Sequence, residues 1–146
     1  HAFVVGEHGD SELAVWSGAN ISGIPLTHFC ELRGYFDHEA SMQKIYEDVR
    51  DSAYEIIQRK GATYYGIAMA VARIAESIVK DEHAVMPISV LLAGEYGLRD
   101  LCLSVPTIVG KNGAQKVLEI PLSEEEAAAL HASAAQLGQV ISGLDL

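Results

Sequence analysis

The chain is short of cysteine, of basic residues and of long apolar runs, and each shortage removes a class of function. Its two cysteines, Cys30 and Cys102, stand far apart with no CxxC pairing. Neither a zinc site nor a disulfide framework is indicated, and reduced thiols of a cytoplasmic protein are the default. Only 10 Lys and Arg stand against 20 Asp and Glu, a formal net charge of −10. That charge repels phosphate backbones and anionic bilayers, which argues against nucleic-acid and membrane-surface partners. The longest apolar stretch, Ala84 to Gly94, is broken by Pro87 and Ser89 and falls short of a bilayer span. The catalytic signatures HExxH and GxSxG are missing. Internal repeats and low-complexity tracts are missing as well.

What is present fits one globular domain over residues 1–146: 49% of residues are apolar and 21% charged, enough for a sizeable core. The chain starts at His1 without methionine, and Ala2-Phe3-Val4-Val5 already reads as the middle of a buried strand. A piece of a longer protein is the expectation. After that strand, Gly6 to Ser11 reads as a glycine-flanked turn, and Leu13, Trp16 and Ile21 suggest a helix that Asp10 or Ser11 would cap. Ser22 to Phe36, with Gly23, Pro25 and Gly34, reads as a connection. A long helix is expected from about His38 to Lys60, with Ile45, Val49, Ala53, Ile56 and Ile57 at helical spacing, cations at its end and Gly61 as its stop. A second follows from about Tyr64 to Lys80 on the stripe Ile67, Val71, Ile74 and Ile78.

The pattern then turns to three strand-like runs, Ala84 to Ala93, Leu101 to Val109 and Gln115 to Ile120, with Lys111-Asn112-Gly113 as a hairpin signal between the last two. An antiparallel meander is the natural arrangement. Ser123-Glu124-Glu125-Glu126 is a capping box, and the helix it starts carries Ala127, Leu130, Ala134, Leu137, Ile141 and Leu144 on one side. Long helices flanking a meander make an α+β fold, not an alternating βαβ chain.

Chemistry has few places to sit. His8, at the end of a strand between Gly6 and Gly9, can project its imidazole into a cleft, and histidine is the side chain most often used to give and take a proton in catalysis. From spacing alone, a loop histidine bonding a backbone carbonyl is the commoner role. Asp10 could orient the ring or cap a helix, and Ser11 reads as cap chemistry. Glu7, His8 and Asp10 do not make up a recognisable zinc set, so no metal is expected. Thr63 can cap the second long helix or line a pocket, with capping favoured on local grounds. Gly110 and Gly113 join two strands and do not open a helix, so they form no phosphate loop.

Taken together, the segments resemble the carboxyl-terminal, substrate-binding half of the L-lactate dehydrogenase family. The resemblance rests on Ala2-Phe3-Val4-Val5-Gly6-Glu7-His8-Gly9-Asp10-Ser11-Glu12, Val15-Trp16-Ser17 and Ala19-Asn20-Ile21. It continues through Lys60-Gly61-Ala62-Thr63 with Tyr65-Gly66-Ile67-Ala68, and Val105-Pro106 with Gly110-Lys111-Asn112-Gly113. It covers essentially the whole chain, and the Gly-Glu-His-Gly-Asp-Ser block joined to Val-Trp-Ser favours lactate over malate dehydrogenases.

The resemblance implies that His8 is the acid/base that protonates the ketone oxygen of pyruvate while a nicotinamide cofactor, NAD, delivers hydride. It implies that Thr63 lines the substrate pocket, that Ile67 lies beside the nicotinamide ring, and that His1 takes part in a fructose 1,6-bisphosphate effector site between subunits. It further implies a cytoplasmic homotetramer converting pyruvate and L-lactate. The dinucleotide-binding domain, the substrate-discriminating loop, the carboxylate-binding arginine and the aspartate that aligns the histidine would all precede residue 1. Gly18 stands where many relatives have histidine, a surface-type departure. A malate or other 2-hydroxyacid dehydrogenase remains the alternative within the class, and a non-catalytic oligomerisation or binding module the alternative outside it.

Overall fold

Apolar residues that alternate with period two must pair with a neighbouring strand to satisfy their backbone, and the chain does this in three places. The computed structural model describes residues 1–144. Strands β1 (Phe3–Val5) and β2 (Leu13–Val15) form an antiparallel hairpin in the register Phe3↔Val15, Val4↔Ala14 and Val5↔Leu13. Strands β3 (Asn20–Ile21) and β4 (Ile24–Pro25) make a second, very short one. Helices α1 (Leu26–Leu32), α2 (His38–Lys60) and α3 (Tyr65–Val79) follow. The antiparallel sheet comes next, with β5 (Ala84–Ala93), β6 (Arg99–Gly110) and β7 (Gly113–Val117) in the order β5-β6-β7. Helix α4 (Glu124–Ser142) closes the described chain. This is the α+β meander with long flanking helices that the sequence leads one to expect. Among the described residues no helix is long and apolar enough to cross a membrane.

Two expectations change. The run around Leu13 is strand, not helix. Leu13 and Val15 are buried at 7% and 2% exposure while Ala14 between them is half-buried, a period of two that the Leu13–Trp16 spacing disguises. Pairing with β1 decides the matter, since β1 would otherwise lie unpaired beside it. Within Ser22 to Phe36, the seven residues of α1 are helical, yet none is buried. Its inward face is the half-buried trio Leu26, Phe29 and Cys30, too short a run to establish a helical period in a stretch punctuated by Gly23, Pro25 and Gly34. The long helix α2 ends as expected: Gly61 takes φ +80°, the left-handed conformation that a side chain disfavours, and its N–H bonds the Ile57 carbonyl at 2.7 Å.

The core lies where the β1–β2 hairpin meets the sheet and α4. Val5, Leu13 and Val15 pack with Leu92, Leu103 and Val105 of the sheet and with Leu130 and Ala134 of α4. The hairpin is stitched to the centre of β6 by reciprocal backbone bonds, Gly6 N–H to the Ser104 carbonyl at 2.9 Å and Ser104 N–H to the Gly6 carbonyl at 3.0 Å. Helix α3 is pinned at its far end, where the buried Ser77 hydroxyl donates to the Val109 carbonyl at 3.0 Å.

Helix α4 starts on the expected capping box: Glu126 N–H donates to Ser123 Oγ at 3.2 Å, and Ser123 N–H donates to Glu126 Oε2 at 2.9 Å. The same carboxylate reaches the segment after β2, accepting from Ser17 N–H at 2.9 Å and from the Ser17 hydroxyl. Burial pushes the Glu126 carboxyl up, but the bonds from Ser17, Ser123 and Trp16 outweigh it and leave its pKa below the usual carboxylate range. A carboxyl with a depressed folded pKa contributes stability above its unfolded value of about 4.3, and that stability is lost as pH falls through the lower folded value. The unfolding free energy of Glu126→Gln should therefore trail that of the wild type most at neutral pH. The gap should shrink below about pH 4 in a pH series of urea melts.

Candidate active site

A side chain can do chemistry only if the backbone beneath it is held and the side chain itself is reachable. The turn from Gly6 to Glu12 meets both conditions for His8. The reciprocal bonds with Ser104 hold the start of the turn on the sheet, and Gly6 takes φ +102°, which a non-glycine residue rarely adopts. Within the turn, Gly9 N–H bonds the Glu7 carbonyl and Glu12 N–H the Gly9 carbonyl, both at 3.1 Å. Helix α4 supports the turn from one side through Ser133, whose hydroxyl accepts from Glu7 N–H at 2.8 Å. Helix α2 holds it from another: the Tyr54 hydroxyl donates to Asp10 Oδ1 and the Tyr46 hydroxyl to the Glu12 carbonyl, each at 2.7 Å.

His8 itself is exposed and borders a cleft of about 470 Å³. Leu91, Leu101, Leu103, Leu137 and Ile141 supply the apolar part of its lining, and Ser89, Ser104 and Asp100 the polar part. The arrangement brings an imidazole ring to the edge of a largely apolar hollow, a setting suited to a small organic substrate with one polar end. Nearby, burial pushes the Glu12 carboxyl above its usual range; the charge of His8 opposes that shift and the charge of Glu7 adds to it.

The other residues singled out in the sequence stand apart from this cleft. Thr63 and Ile67 lie just before and just inside the start of α3, both exposed, Ile67 at 57%. Neither lines the hollow at His8. Thr63 does not cap α3, whose N-cap is Tyr64 with no side-chain bond. His1 borders a separate cavity of about 580 Å³ beside Phe3, Asn20 and the Ile120–Ser123 segment. Asp10 and Ser11 cap no helix, because the chain after them is strand; Asp10 receives Tyr54 and Ser11 turns inward to Glu7 and Ser133. Ser133, Tyr46 and Tyr54 escape a reading of the sequence. The one trace of Ser133 is a hydroxyl beside Ala134 on the apolar side of α4.

Residues 1–144 match the lactate/malate dehydrogenase, alpha/beta C-terminal domain. The chain belongs to that family. It is similar to the L-lactate dehydrogenase of Acetivibrio thermocellus, 50% identical over 146 residues, which is 100% of this chain and 46% of the relative. It is also similar to that of Nitratidesulfovibrio vulgaris, 51% identical over 144 residues, 99% of this chain and 47% of the relative. Among solved structures, the minor L-lactate dehydrogenase from Enterococcus mundtii in its ligands-bound form superposes with a TM-score of 0.91 at 40% identity, covering 100% of this chain and 46% of that one. A lactate dehydrogenase from a Medee basin deep-sea metagenome library gives 0.92 at 40% identity over 97% of this chain and 45% of that one. The chain thus spans less than half the length of the relatives it matches.

The turn under His8 depends on the absence of a side chain at Gly6. An added Cβ would stand 3.0 Å from Ser133 Oγ on a backbone that already disfavours it. Gly6→Ala should lower stability by about 1–3 kcal/mol in denaturant unfolding, as residues forced into sparsely populated backbone regions do.

Proposed function

We propose that this chain is the catalytic half of a cytoplasmic, NAD-dependent L-lactate dehydrogenase, and that residues 1–146 work as one substrate-binding domain joined to an upstream dinucleotide-binding domain. The observation that carries the reading is His8, exposed on a turn tied to β6, α4 and α2, at the edge of a cleft lined by leucines. Likeness to full-length L-lactate dehydrogenases supports the choice of substrate, and the Gly-Glu-His-Gly-Asp-Ser block supports the choice of residue.

In the proposed reaction His8 carries the proton. Its imidazolium donates to the ketone oxygen of pyruvate as hydride reaches the adjacent carbon, and the neutral ring takes the proton back from the hydroxyl of L-lactate in reverse. NAD, when bound, supplies or accepts the hydride. The chain's own fit to that group is an apolar surface at the start of α3, where Ile67 and Met69 are 57% and 71% exposed beside Tyr64 and Tyr65. Ile67 would rest against the nicotinamide ring, and Thr63, with its hydroxyl free to face outward, would contact substrate. On this reading His8, Thr63 and Ile67 meet one substrate and cofactor in a site that the upstream domain completes. The domain alone should be inactive, since carboxylate binding and the hydride donor come from elsewhere and catalysis requires all groups to be placed together.

Assembly follows the same reading. Ile45, Val49, Ile56 and Ile57 of α2 remain 41–52% exposed, and subunit contacts in a homotetramer would cover them. His1, in its own cavity, would contribute to a fructose 1,6-bisphosphate site together with cations from upstream.

The test is NADH oxidation by the full-length enzyme with pyruvate and, in parallel, oxaloacetate. Pyruvate should be preferred, and His8→Gln should lower kcat by roughly 10²–10⁴-fold, the usual worth of a positioned acid. Preference for oxaloacetate would reassign the enzyme to malate, and undiminished turnover in the variant would remove His8 from the mechanism.

A further inference from the structure

The turn that carries His8 is closed by hydroxyl groups whose proton directions can be counted. Glu7 N–H donates to Ser133 Oγ at 2.8 Å, and the Ser11 hydroxyl donates to Glu7 Oε2 at 2.7 Å. The two serine oxygens lie 3.1 Å apart. A serine has one proton to give and a carboxylate has none. Ser11 has committed its proton to Glu7, so the proton between the two serines belongs to Ser133. The bonds therefore run one way around a closed ring, from Glu7 N–H to Ser133, from Ser133 to Ser11, and from Ser11 back to the Glu7 carboxylate.

The ring starts and ends on the residue before His8. It fixes Glu7 at both its backbone and its side-chain tip, and chains of this kind strengthen each member by polarisation. Ser133 is 1% exposed, so the ring is anchored in the core. The neighbours fit it closely: a Cβ on Gly6 would meet Ser133 Oγ at 3.0 Å, and a Cβ on Gly9 would meet Glu7 Oε1 at 2.5 Å. Ser133 lies one turn before Leu137 on α4, and Leu137 lines the His8 cleft. The helix that forms part of the cleft wall therefore also holds the acid at its rim.

We infer that Ser133 and Ser11 are positioning residues for His8, setting the ring's height over the cleft through the closed hydrogen-bond ring on Glu7. The inference rests on the reading of His8 as the proton donor. Neither serine touches the reacting atoms; each acts through Glu7.

The experiment uses the full-length enzyme, with NADH oxidation by pyruvate followed in H2O and D2O for wild type, His8→Gln, Ser133→Ala, Ser11→Ala and Ser11→Thr. Opening the ring lets the imidazole drift, and displacements near 1 Å cost up to about 100-fold in rate. Ser11→Ala and Ser133→Ala should each lower kcat by roughly 10- to 100-fold, leave the KM for NADH unchanged and raise the solvent isotope effect on kcat as proton transfer takes more of the barrier. Ser11→Thr restores the hydroxyl and should recover most of the lost kcat. Should Ser133→Ala fail to fold, Ser11→Ala decides alone, because Ser11 is only half-buried. An Ser11→Ala enzyme with unchanged kcat and isotope effect, or a loss that Ser11→Thr does not repair, overturns the inference while leaving His8 in place. If His8→Gln itself turns over pyruvate at the wild-type rate, the functional reading fails first and the ring is a structural clamp.

Discussion

Two backbone hydrogen bonds between Gly6 and Ser104 join what would otherwise be separate pieces. The β1–β2 hairpin has only three paired residues in each strand, too little to stand alone in water. Docked on the middle of β6, it completes the core with Val5, Leu13 and Val15, and it sets the turn between its strands at the border of the cleft. Everything that makes His8 a candidate acid follows from that docking. The turn gains its second support from α4 because the hairpin brings Glu7 to Ser133, and its third from α2 because it brings Asp10 to Tyr54. A buried backbone pair left unmade would cost more than most side-chain contacts return, which is why this junction is a constraint and not a preference.

Cohesion is unevenly distributed. The hairpin, the sheet and α4 share one buried cluster, whereas α2 and α3 present Ile45, Val49, Met69 and Val71 at 50–71% exposure. Surface charge does not compensate: the ion pairs along these helices, such as Lys44–Asp48 at 2.8 Å and Arg73–Glu82 at 2.6 Å, are solvent-exposed and contribute little. Helices with this much uncovered apolar surface are built to be covered. On the reading proposed above, the missing cover is the upstream domain and neighbouring subunits, and the relatives, twice as long, have the chain length to provide part of it.

Much of this was legible in the residues. Helix α2 was readable because its cations and Gly61 mark its end, and α4 because Ser123 and Glu126 announce its start; both signals act within one turn and need no distant partner. The meander was readable from alternation and from Asn112-Gly113. The segment from Leu13 to Leu32 was not. Three residues of β2 are too few to establish a period, and their state depends on β1, eight residues or more away, while the half-buried face of α1, Leu26, Phe29 and Cys30, is too short to stand out beside Gly23, Pro25 and Gly34. For the candidate site, His8 stood out because glycines flank it. Ser133 did not, because its partner lies 126 residues away in the chain and a serine within an alanine-rich helix has no pattern of its own.

By itself, the sequence determined the α+β class, the ends of the long helices, the acidic surface, and the family to which the His8 block belongs, all of which depend on residue type and short-range spacing. Only the tertiary structure decided that Leu13 to Val15 is strand, that Ser11 and Asp10 serve the turn and not a helix cap, that Thr63 and Ile67 stand away from the cleft at His8, and that a serine in α4 bonds Glu7 in the turn. Those features depend on which distant backbone and hydroxyl groups meet. Hydrogen bonds act over about 3 Å, so such meetings are fixed only once the core has brought the elements together.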